Sequence, residues 1–169
     1  MRVPKPMSTS PLPSTPSKVP LMDRWFDDFA VGEVFEFGDY VVGADEIVEF
    51  ARRYDPQPFH LDEQAARASH FGGLVASGWM TCAVLMRLLC DHFIPRASSM
   101  GSPGVDEVRW LEPVRPGDHL RVRTEVLECR ASRSKPDRGV LQCRHQLLNQ
   151  HGRVVASILG LGMYRRRPG

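Results

Sequence analysis

The stretch SGWMTCAVLMRLLCDHF, residues 77–93, constrains the fold more than any other part of the chain. It is long enough for about four and a half helical turns, and Met80, Ala83, Val84, Leu85, Leu88 and Leu89 spread around much of its circumference instead of forming one stripe. A helix that is apolar on so many sides needs other structure on most of them. The rest of the chain therefore has to supply a wrapper.

The second half supplies it as strands. After Gly104, VDEVRWLEPVRPGDHLRVRTEVLECRAS carries a turn at Arg115-Pro116-Gly117-Asp118. Beyond it Leu120, Val122, Thr124 and Val126 alternate with Arg121, Arg123 and Glu125, the period of a half-buried strand. GVLQCRHQLLNQHGRVVASILGLGMYRRR adds two more strands about a turn at Gln150-His151-Gly152. An antiparallel sheet curved around one buried helix makes an α+β domain.

The first half reads as shorter elements. Order is expected from about Trp25, with a strand through roughly residues 33–42 that uses Val34, Phe35, Phe37, Tyr40 and Val41. GADEIVEFARRYD follows helical spacing behind an acidic first turn and stops near Tyr54, because Pro56 and Pro58 disfavour helical backbone in the residues before them. LDEQAARASHFGG reads as a second short helix, capped by Asp62 and closed by Gly72-Gly73. Residues 1–22, rich in Pro, Ser and Thr, are expected to be a disordered extension, with Met22 an alternative start. Residues 23–165 are expected to form a single domain, and residues 166–169 a basic tail that is solvated.

At 169 residues the chain suits one well-filled core, and a formal net charge of +2 gives no field that points to nucleic acid. No apolar run approaches the roughly 20 residues of a membrane span, and the N-terminus lacks the continuous apolar segment of a secretory signal. Cys82, Cys90, Cys129 and Cys143 show no CxxC pair and no metal-ligand spacing with the histidines. Cys82 and Cys90 share the long helix at a separation of about 12 Å, beyond disulfide reach. Reduced thiols, no metal and a cytoplasmic location are the expectation.

Two features bear on chemistry. In YDPQPFH, residues 54–60, prolines stiffen the backbone that presents Asp55 and His60, in a stretch expected to be non-helical. Such a segment suits a catalytic pair, and equally a turn that Asp55 caps beside a satisfied polar His60. Ser77-Gly78 opens the long helix, where unpaired amides favour an oxygen that gains negative charge; an ordinary serine cap is the other reading.

DPQPFHLDEQAARASHFGGLVASG resembles the hydratase segment of the MaoC-like, or R-specific enoyl-CoA hydratase, family, and EVRWLEPVRPGDHL resembles its strand-turn-strand segment. The resemblance runs over about residues 25–165. It implies a hot-dog fold, with the long helix wrapped by the sheet, and reversible addition of water to a trans-2-enoyl thioester. Asp55 and His60 fall on the catalytic acid and base, and Gly78 on the oxyanion-hole amide. Gln57 stands where the family usually has Asn, and Ser77 where it has His; both are assigned to substrate binding, Ser77 on the pocket wall. The implied substrate is an acyl-CoA, with coenzyme A as its carrier and no separate cofactor. Arg109, Arg115 and Arg165 to Arg167 are candidates for its phosphates. A homodimer, with no nucleic-acid or membrane partner, completes the expectation. The alternatives are an acyl-carrier-protein dehydratase, a hot-dog thioesterase, or a non-catalytic module that binds acyl-CoA.

Overall fold

The structure, a computed structural model, describes residues 17–169. Its elements run β1 (Val34–Val41), α1 (Ala44–Tyr54), α2 (Pro58–Leu61), α3 (Glu63–Ala68), α4 (Gly78–His92), β2 (Gly104–Trp110), β3 (His119–Ala131), β4 (Arg138–Leu148) and β5 (Val154–Arg165). The five strands form one antiparallel sheet in the order β1-β3-β4-β5-β2, curled around α4 in the hot-dog arrangement. Shifts of register interrupt every ladder, and each such bulge adds twist and bend to the sheet.

The alternation in β3 does what its sequence requires: Leu120, Val122, Thr124 and Val126 are buried, and the arginines between them face outward. These side chains meet Met80, Val84, Leu85, Leu88 and Leu89 of α4, together with Leu141 and Leu147 of β4. Ala83, expected in the buried set, is exposed.

The turn before β3 forms as expected. The Asp118 carboxylate accepts from the Arg115 amide at 2.8 Å, and Gly117 takes the left-handed backbone that the turn demands.

Several expectations need correction. Pro58 begins a one-turn helix, α2, because a proline at the first helical position has no amide to lose and a pre-set φ. His60 is therefore helical. The Asp62 side chain caps α3 through the Ala65 amide at 2.7 Å, yet α3 ends at Ala68 and not at the glycine pair, since the Ser69 hydroxyl donates back to the Ala66 carbonyl.

Residues 1–16 of the expected extension lie outside the described residues. Ordered chain is described ahead of Trp25: Leu21–Asp23 forms a short 3-10 helix, and Leu21 packs on the core. The second such helix, Phe26–Asp28, docks Phe26 where Gly139 leaves room, since a side-chain carbon there would sit 2.3 Å from the ring. Arg166 and Arg167 of the basic tail bind Asp27 and Asp28 at 2.7 and 2.8 Å.

Candidate active site

Asp55 caps the end of α1, its amide bonded to the Ala51 carbonyl at 2.9 Å, and Pro56 then turns the chain away. One turn later α2 places His60 beside it. The His60 Nε2 lies 3.4 Å from Asp55 Oδ2, and both side chains are largely buried. Both line a pocket of about 510 Å³ with Phe59, Phe71, Gly78 and Trp110.

Hydrogen bonds fix the roles these groups can take. A carbonyl only accepts, so His60 Nδ1 donates to the Val75 carbonyl at 2.7 Å, and in the neutral ring Nε2 is left with a lone pair facing the pocket. The Ser77 hydroxyl donates to Asp55 Oδ2 at 2.6 Å, and the Gln57 amide donates to Oδ1 at 2.8 Å. Donation from Ser77 holds the Asp55 carboxyl below its ordinary value against the opposing effect of burial, with smaller help from Gln57 and His60. An ionised carboxylate and an imidazole lone pair are both acceptors. A water molecule between them can donate one hydrogen to each.

Ser77 also caps α4 by accepting from the Trp79 amide at 3.2 Å. Gly78, the first helical residue of α4, lies too early in the helix for its amide to have an acceptor four residues back. Its carbonyl accepts from the Trp110 indole at 2.8 Å, and the ring lies so close that a side-chain carbon on Gly78 would come within 2.5 Å of it. Glycine is therefore required here for packing as well as for access to the amide.

Asp55, His60, Gln57 and Gly78 are thus brought together at one pocket. Ser77, expected on the pocket wall, is 1% exposed and stands behind Asp55 with its hydroxyl on the carboxylate. The arginines do not converge on the pocket. Arg109 is held by Glu107 at 2.8 and 3.1 Å, Arg115 donates to the Phe71 carbonyl at 2.6 Å, and Arg166 and Arg167 hold Asp27 and Asp28. The Val75 carbonyl and the Trp110 indole are site groups that the sequence did not single out. No residue type announces the former, a backbone atom; the latter lies in EVRWLEP, whose pattern announces a strand and a turn but no site residue.

Because the Ser77 hydroxyl is the main cause of the low Asp55 value, Ser77→Ala is expected to raise it. The ionised form is then lost at a higher pH as the solution is acidified. The acid limb of the pH profile of kcat/KM should move upward, with turnover near neutrality roughly tenfold lower, the order of one lost hydrogen bond to a charged group. An unmoved acid limb would show that Ser77 does not set the state of Asp55.

Residues 28–144 match the family model described as MaoC like domain. The crystal structure of a MaoC-like dehydratase from Rhodospirillum rubrum is 46% identical and superposes with a TM-score of 0.81, covering 86% of this chain and 99% of that one. 3-Hydroxyacyl-thioester dehydratase Z of Mycobacterium tuberculosis is 31% identical over 101 residues, 58% of this chain and 67% of the relative. Mesaconyl-CoA hydratase of Cereibacter sphaeroides is 29% identical over 148 residues, 85% of this chain, which spans only 42% of that longer protein. With a family match over most of the ordered chain and the pocket built from its DPQPFH and Ser-Gly segments, this protein belongs to the MaoC-like dehydratase family.

Proposed function

We propose that the protein is a hydro-lyase that reversibly adds water to a trans-2-enoyl thioester, giving the (R)-3-hydroxyacyl thioester, with coenzyme A as the carrier. The observation that carries this reading is the pair of acceptors, Asp55 Oδ2 and His60 Nε2, 3.4 Å apart at a pocket that the Gly78 backbone also lines. Water held between them has both hydrogens engaged and a lone pair directed at the β-carbon. As the C–O bond forms, a proton leaves the water toward the pair and the α-carbon gains one, so that H and OH are added across the double bond. Charge that develops on the thioester oxygen is met by the Gly78 amide at the positive end of α4, a donor worth about 3 to 4 kcal/mol in comparable sites. Asp55 and His60 share the proton as a coupled pair. The chemistry calls for no cofactor besides the thioester itself.

The test is loss of the enoyl-thioester absorbance with crotonyl-CoA and a panel of longer and branched enoyl-CoAs. Turnover to the 3-hydroxy product supports the proposal. Release of free thiol would assign a thioesterase instead, and saturable binding without turnover an acyl-binding module. The same panel on acyl-carrier protein separates the carriers.

We further propose a homodimer. Among the described residues edge strand β2 pairs only with β5, and Val105, Trp110 and Leu111 at and after it are each about half exposed, as are Trp79 and Met86 of α4. An exposed apolar edge of this kind is a template for strand pairing with a second copy. Light scattering is expected to give a dimeric mass, and Val105→Lys to shift it to the monomer.

A further inference from the structure

Beyond the catalytic pocket a second cavity, of about 320 Å³, lies between α4 and the inner face of the sheet. That volume is at the small end of the range for ligand sites. Gly160 and Gly162 of β5 line it, with Met86 and Leu89 of α4 and Phe93 just past the end of that helix. Cys82 stands between the two spaces: it lines the cavity, and its thiol lies against the indole of Trp110, which lines the catalytic pocket. Four residues of α4, a rise of about 6 Å, separate Gly78 from Cys82.

The cavity walls are mostly apolar, with Ser99, Ser102, Tyr164 and a histidine among the lining residues. His145 of β4 lines the cavity with its ring edge-on to Phe93, centroids 5.8 Å apart. Its Nδ1 bonds the hydroxyl of Thr124, itself fully buried, at 2.9 Å, which fixes the ring; with Thr124 donating, the neutral ring carries its proton on Nε2 and offers a donor to a ketone or hydroxyl oxygen. The other edge faces the space that Gly160 leaves open: a side-chain carbon on Gly160 would lie 3.5 Å from Cδ2 and 3.7 Å from Nε2. Nε2 bonds no group among the described residues and is open to the cavity. Tyr164, whose ring lies over Gly162, lines the same wall farther along. Neither belongs to the chemistry assigned to Asp55 and His60.

We propose that His145 is a specificity-determining residue: with the acyl chain in this cavity, it selects chains that carry a neutral hydrogen-bonding oxygen, such as a ketone or hydroxyl, over plain hydrocarbon chains. The inference rests on the hydratase reading for its substrate and adds the class of acyl group. A neutral oxygen fits better than a carboxylate because burial pushes His145 down to about 4, so the ring is uncharged at neutral pH. A plain chain would leave Nε2 buried without a partner, which penalises it relative to one that supplies a partner.

The experiment compares kcat/KM for crotonyl-CoA, 2-octenoyl-CoA and a set of keto-2-octenoyl-CoAs that differ in the place of the ketone. The parent, His145→Leu and Gly160→Val are assayed side by side. The parent is expected to favour one keto chain over 2-octenoyl-CoA by tenfold or more. His145→Leu should abolish that preference, and Gly160→Val, which fills the cavity beside the ring, should abolish turnover of both octenoyl types. Crotonyl-CoA turnover, which reads the catalytic pocket that neither residue lines, is the reference against which the octenoyl rates of each variant are taken. Equal rates for keto and plain chains in the parent, or a preference that survives in His145→Leu, would overturn the proposal. Should His145→Leu not fold, Gly160→Val decides, and a keto preference that survives there overturns it. If no thioester turns over, the hydratase reading fails. The cavity is then judged by the ¹⁵N resonances of the His145 ring on titration with 2-octanone: saturable shifts retain the site, and their absence removes it.

Discussion

Asp55→Asn is expected to lower enoyl-thioester turnover by roughly 10³-fold, within the range for loss of a general acid–base group, while leaving circular dichroism and the cooperative melt intact. The carboxylate receives donors on both oxygens, from Gln57 on Oδ1 and Ser77 on Oδ2. An amide can accept from only one of these. If its oxygen keeps the Ser77 bond, its NH2 faces the Gln57 amide, donor against donor; if its oxygen keeps the Gln57 bond, its NH2 stands at the Oδ2 place, where it meets the Ser77 hydroxyl and takes the His60 Nε2 lone pair that the attacking water needs. The negative charge is lost in both arrangements. Asparagine keeps the shape of the side chain and can retain one of its two hydrogen bonds, so the fold is expected to stay intact. His60→Gln should show a loss of similar size, because it removes the lone pair that the Val75 carbonyl keeps aimed at the pocket. Turnover of either variant at the parent's rate, with native circular dichroism, would refute the shared water.

That the two side chains belonged together was legible in DPQPFH; how they are held was not. The sequence treated both prolines as interruptions, whereas Pro58 starts the turn that swings His60 back toward Asp55. Proline breaks a helix it falls inside and favours one that it begins, and spacing alone does not distinguish the two. The supporting contacts come from farther away. Ser77 lies 22 residues from Asp55, and the Val75 carbonyl 15 residues from His60, a backbone atom that any residue could present. The departure from the family's histidine at Ser77 suggested a changed pocket wall, yet the side chain turns inward to the carboxylate.

The fold was more legible than the site because its signals are carried by runs of residues and not by single contacts. The apolar girth of α4 demanded a wrapper, and the two-residue period of β3 identified one strand of it. The short elements at the start of the chain carry no such periodicity. Their order comes from Arg24, which sequence context presents as one more surface arginine and which the structure buries to 5% exposure.

Arg24→Leu is expected to destabilise the fold by about 3 to 5 kcal/mol, the loss when one member of a buried ion pair is removed. The guanidinium gives two bonds to the Glu33 carboxylate at 2.9 and 3.0 Å and two more to the Val19 and Ser17 carbonyls, and its charge lies over the rings of Phe29 and Phe35. Without it Glu33, only 11% exposed, keeps just the Ala30 amide as a donor among the described residues. The cost is therefore less the attraction lost than a charge left buried without its partner, and this distinction has a measurable consequence. The double variant Arg24→Leu/Glu33→Leu, with neither charge, should recover much of the stability that the single variant loses, because the leucines can rest on Phe29 and Phe35. Urea unfolding of the parent, both single variants and the double variant gives the coupling directly. A cost below about 1 kcal/mol for Arg24→Leu would place this pair with ordinary surface ion pairs. None of these residues lines the catalytic pocket, so the folded fraction of each variant should retain the parent's kcat. A parallel fall in kcat would mean that the amino-terminal segment positions the site as well as closing the core.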